Sequence, residues 1–73
     1  MSLGMPEEKR QRVEKLIRDI AETAEEAIVE HDDWPFYTES RGMAMGIARA
    51  TLAFGYERDW EELTELVDEL FNR

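Results

Sequence analysis

The sequence predicts an all-α fold: a small three-helix domain, with helices at about 6–31, 35–54 and 59–72, that associates into a larger helical bundle. Three observations carry this expectation. Apolar residues recur at three- and four-residue spacing in three blocks, and nowhere do they alternate as strands require. Helix-breaking residues separate the blocks, at Asp32-Asp33-Trp34-Pro35 and at Gly55. The middle block, Gly42 to Phe54, is apolar on two sides, whereas its neighbours are apolar on one.

Pro6 with Glu7 and Glu8 opens the first helix, because proline fits a first helical turn and acids there complement the helix dipole. Val13, Leu16, Ile17, Ile20, Ala24, Ala27 and Ile28 share one face of it, and the remaining surface is charged. Glu8 with Arg12 and Glu14 with Arg18 stand at i, i+4 in the favourable orientation. The helix ends at the turn, since Asp favours caps and a residue before proline is pushed out of the α region. Asp33 or Trp34 then caps the second helix, a later start capped by Thr38 or Ser40 being the alternative, and Gly55 stops it in the left-handed conformation. For the third helix, Asp59 reads as the cap with Glu62 three residues on, a variant of the capping box. Trp60, Leu63, Leu66, Val67, Leu70 and Phe71 form its single stripe. Residues 1–5 read as an added leader outside the fold, and 6–73 as one domain.

The second helix raises the question of function. At about 100° per residue, Met43, Ile47, Ala50 and Phe54 fall on one side, and Met45, Ala48 and Leu52 on the other. The first stripe is expected to meet the neighbouring helices and the second to meet another molecule, because two neighbours in a three-helix bundle cover one broad face. Tyr37, Arg41, Met45, Ala48, Arg49 and Leu52 are accordingly the expected partner-binding residues. Gly42 and Gly46, four apart, are expected to allow close helix packing. Trp34 and Phe36 are expected to plug the end of the core, with Tyr37 nearer the contact surface.

Composition narrows the function classes. A chain of 73 residues without cysteine has no disulfide and no thiolate metal site, so a core of this size leaves oligomerisation or regular helix packing as the means of stabilisation. Nine Lys+Arg against eighteen Asp+Glu give a formal net charge of −9, which opposes phosphate binding and an anionic membrane surface. No basic recognition helix for DNA is present. No run is long enough to span a bilayer, and a cytoplasmic location is the default.

Catalytic chemistry finds little support. His31 with Asp32 and Asp33 is the one cluster of potential metal ligands, but neighbouring side chains at a helix end diverge. No residue pattern surrounds Ser40 as a nucleophile elbow would, and Gly42-x-x-x-Gly46 lacks the Lys-Ser/Thr ending of a phosphate loop. No catalytic residue, metal or cofactor is expected. Glu61, Glu65 and Glu69 repel one another at i, i+4 and read as a solvated face.

The run Met45-Gly46 through Ala53, Gly55-Tyr56 and Trp60-Glu61-Glu62-Leu63 faintly resembles the helix-turn-helix of a tetratricopeptide repeat. Its glycine spacing differs, and a single unit could not bury a repeat core, so no family follows from it. The sequence therefore points to a non-enzymatic protein-interaction module that contacts a second copy as a homodimer, or another protein, natural or engineered. The alternative is a ligand or enzyme site across a dimer cleft, built from Arg49, Tyr37 and His31.

Overall fold

Proline has no N–H to leave unpaired at a helix start. In the computed structural model, which describes residues 4–73, the first helix begins directly after Pro6. Helix α1 spans Glu7–His31, α2 spans Trp34–Ala53 and α3 spans Glu57–Leu70. All three expected helices are present, and the described residues contain no strand. Of the expected leader, residues 1–3 lie outside the described residues, whereas Met5 belongs to the fold: its N–H donates to Asp59 Oδ2 at 2.7 Å.

Both connections are tight because each has a residue in the left-handed region. Asp32, with φ 51° and ψ 36°, ends α1, a conformation that Asp tolerates better than most residues. Its N–H donates to the Ile28 carbonyl at 3.0 Å, and the Asp33 N–H to that of Ala27 at 3.1 Å. Asp33 then caps α2 as expected, its Oδ1 accepting from the Phe36 N–H at 3.1 Å. Gly55 at φ 87° closes α2. The N–H groups of Gly55 and Tyr56 donate to Leu52 and Thr51, each at 2.9 Å, which is a Schellman stop.

Helix α3 starts two residues earlier than expected, so Asp59 is not its cap. The Gly55 turn completes the reversal by itself, and Asp59, buried in the first turn of α3, accepts from Arg10 at 2.9 Å as well as from Met5. Glu62 also pairs with Arg10 instead of reaching back to cap the helix.

The chain runs up, down and up, with α2 in the middle; α1 and α3 touch each other far less than each touches α2. Ile17 and Ala24 of α1, Ala44 and Ala48 of α2, and Leu63 and Val67 of α3 have no solvent exposure. The buried face of α2 is Tyr37, Ser40, Ala44, Ala48 and Thr51. This corrects the expected role of the α2 stripes: neither as a whole is the core face, and of their residues only Ala48 is wholly buried. They are its two flanks, and the centre between them is made of small residues. Ile17, Leu63 and Val67, from the outer helices, are the largest fully buried side chains.

The aromatic end differs from expectation in the same way. Tyr37 is the plug, 5% exposed, with its ring edge-on to Phe71 at 5.3 Å and to Trp34 at 5.8 Å. Trp34 and Phe36 stay partly in solvent.

Small side chains in the central layer make a sharp prediction. Ala44→Leu has no space to occupy without separating α1 from α3, and should cost about 1–3 kcal/mol or more. Leu63→Ala should cost about 2–5 kcal/mol through cavity formation. Urea titration followed by circular dichroism measures both; an Ala44→Leu protein as stable as the parent would contradict this packing.

Candidate interaction surface

Large apolar side chains displaced from the centre of α2 collect along its flank toward α1. Met43 is 60% exposed and Phe54 78% exposed, while Ile47 is half-buried between them. Helix α1 meets this flank with Val13, Leu16 and Ile20, of which Leu16 remains 48% exposed. The outcome is a shallow groove between α1 and α2 with two apolar hollows. One, of about 410 Å³, lies among Met5, Val13, Ile47, Ala50 and Phe54. The other, of about 260 Å³, lies among Ile20, Phe36, Ser40 and Met43.

Total accessible area is somewhat above that of a typical monomer of this mass. The chain exposes 5166 Å² at 8.6 kDa, whereas a folded monomer of this mass exposes about 4,700 Å² by the usual scaling. Its extents of 45 × 18 × 16 Å make it a rod, which accounts for part of the excess.

The expected contact residues fall elsewhere. Ala48 is wholly buried and Tyr37 nearly so, so neither can meet a partner while the chain is folded. Met45 is half-buried against the core. Arg41 reaches across to Asp68 of α3 at 3.7 Å. Leu52, 42% exposed, and Arg49 are left at the surface. Gly42 and Gly46 are exposed, and a Cβ at either would meet nothing within 4 Å, so no helix of this chain packs closely on them. The signal that locates the buried face is the run Tyr37, Ser40, Ala44, Ala48 and Thr51 at helical spacing, small or polar residues that a search for large apolar stripes passes over.

Comparison with known proteins adds no relative: no protein-family model, curated protein or solved structure matches the chain. Among the described residues no group of three or more metal-ligating side chains converges, and no helix is long and apolar enough to cross a membrane. The three residues of the alternative cross-dimer cleft lie apart within one chain. Tyr37 is in the core, His31 is exposed at the end of α1, and Arg49 lies twelve residues beyond Tyr37 along α2, about 18 Å at the helical rise.

Charged groups close the two ends of the rod and leave the groove floor apolar. At one end Arg10 binds Glu14, Asp59 and Glu62; burial opposes its charge, but the bonds to Glu62 and Asp59 prevail and raise its pKa. At the other end Arg73 Nε donates to Glu25 Oε2 at 2.7 Å, and the Arg73 N–H donates to the Tyr37 hydroxyl at 3.3 Å. That guanidinium bond lowers the Glu25 pKa below the usual carboxylate value.

Two predictions follow from these placements. Gly46→Ala, in an exposed helix interior with open space around it, should stabilise the monomer by about 0.5–1 kcal/mol in thermal unfolding. Because the folded-state pKa of Glu25 is depressed, its contribution is present above the unfolded carboxylate pKa and disappears as pH falls through the lower folded value. Glu25→Gln should therefore flatten the loss of thermal stability between about pH 6 and pH 3; an unchanged profile would show that Arg73 does not hold Glu25 in solution.

Proposed function

We propose that this protein is a non-enzymatic helical interaction module whose contact surface is the α1–α2 groove. The observation that carries the reading is the exposure of Met43, Phe54 and Leu16 around a continuous apolar floor of Val13, Ile20 and Ile47. Large apolar side chains clustered on one face of a soluble protein mark a docking site more often than they mark nothing. A helix or helix pair laid into such a groove would be read by anchors at i, i+3, i+4 and i+7. The ends of the bundle are tied by ion pairs and aromatic packing, so the groove sits on a preformed scaffold and little ordering opposes association. This reading keeps the cytoplasmic location expected from the sequence.

It also moves the proposed surface from the α3 side of α2 to the α1 side. Leu52, Arg41 and Arg49 become peripheral to it.

The test is site-specific photo-crosslinking in cells that produce the protein. With p-benzoylphenylalanine in place of Phe54 or Met43, irradiation should give a covalent protein adduct; in place of Glu65, on the outer face of α3, it should give none. Equal yields from all three positions, or no adduct from Phe54 and Met43, would defeat the groove as a contact surface. Met43→Glu should leave helical circular dichroism intact and remove the adduct formed from Phe54.

A further inference from the structure

The spacing along the groove is that of a packed helical seam. Met43, Ile47, Ala50 and Phe54 follow one another at intervals of four, three and four residues, and Phe36 lies seven before Met43. On α1, Val13, Leu16, Ile20, Thr23 and Ala27 follow at three, four, three and four. Those are the intervals of a and d positions in bundles whose helices interlock side by side. In the monomer each helix engages only the inner edge of its seam, and Leu16, Met43 and Phe54 are left in solvent.

Charge along the groove is polar from end to end. The hollow near the start of α1 is lined by one charged residue, Lys9. Toward the other end the groove is lined by Glu26, Glu30 and Glu39, whereas Asp19, near its middle, pairs with Lys15. Lys9, Glu26 and Glu39 take part in none of the ion pairs among the described residues.

We propose that the groove is occupied by a second copy of this chain, laid antiparallel so that the two α1–α2 pairs form a four-helix bundle. The proposal rests on the reading of the groove as the contact surface and names its partner. A two-fold axis can lie in the plane of the groove in two ways. An axis along the helices would gather both basic ends at one end of the bundle and both acidic ends at the other. An axis across the helices sets the basic end of each copy against the acidic end of the other, twice by symmetry. Charge polarity selects the second arrangement.

The axis also sets a register. Placed between Leu16 and Ile20 on α1 and between Met43 and Ile47 on α2, it brings Phe54 onto Phe36 of the partner subunit. The two phenylalanines are eighteen residues apart on one face of α2, five full turns. Lys9 then lies within about a turn of Glu26 and Glu30 of the partner subunit.

The chain has no cysteine, so cross-linking can read this register directly. Light scattering should return about twice the 8.6 kDa chain mass, and Met43→Glu should raise the dimer Kd by about 100-fold or more, as loss of a central anchor does. A mixture of Phe36→Cys and Phe54→Cys proteins should form a disulfide between them under oxidation, while neither variant alone should cross-link. Cross-linking of Phe54→Cys with itself would overturn the antiparallel arrangement. A monomer mass up to about 1 mM, where even weak association shows, would overturn the second copy as occupant. If Phe54 still photo-cross-linked to another protein in that case, the groove reading would stand without this proposal; without such an adduct both would fall.

Discussion

The thickness of α2 on its buried side is the constraint on which the rest of the structure depends. Ser40, Ala44, Ala48 and Thr51 place little volume between α1 and α3, and helix separation follows the side chains at the contact. The outer helices can therefore close on α2 and bury Ile17, Leu63 and Val67 completely. The same thin layer excludes the larger residues of α2. Met43 and Phe54 have no place in the centre of a three-helix core whose middle is already filled by alanines, so they emerge beside α1. The surface proposed as the contact site and the packing of the core thus have one cause.

So small a core leaves the ends of the bundle to other interactions. Arg10 joins α1 to α3 through Asp59 and Glu62, and Asp59 also holds the Met5 N–H. Opposite, Tyr37 and Phe71 pack edge-on while Arg73 reaches Glu25. Exposed ion pairs contribute little each, but Asp59 is buried, and removing Arg10 would leave its carboxylate without its cationic partner. These ties fasten α1 to α3 and both α1 and α2 to the C-terminal residues, while the tight Asp32–Asp33 turn joins α1 to α2. A seam of a and d residues can interlock with a partner only if the register of α1 and α2 is maintained.

The acidic balance of the chain is unevenly spread, and this bears on what can dock. Seventeen of the eighteen acids lie in α1, α3 and the first turn, and α2 carries only Glu39, with none from Ser40 to Tyr56. Like-charge repulsion between two copies is therefore weakest where the α2 seam lies, and the charges that flank the groove differ in sign from one end to the other. A net charge of −9 keeps unrelated anionic surfaces away.

Local chemistry by itself determined the three helices and both turns. Asp33 capping α2 and Gly55 stopping it were legible because a capping carboxylate and a positive-φ glycine act within a few residues of chain. The one-sided stripes of α1 and α3 were legible for a related reason, since a helix with a single apolar face has only one way to turn toward a core. Helix α2 was different. With large residues on both flanks and small ones between, its periodicity is compatible with burying either flank or the middle, and only the simultaneous approach of α1 and α3 selects Ala44 and Ala48. The departure of Asp59 from its expected cap has the same origin, because its partners, Arg10 and the Met5 N–H, come from the far end of the chain. What sequence spacing cannot contain is which neighbour arrives at which side, and at α2 that arrival decides what is core and what is surface.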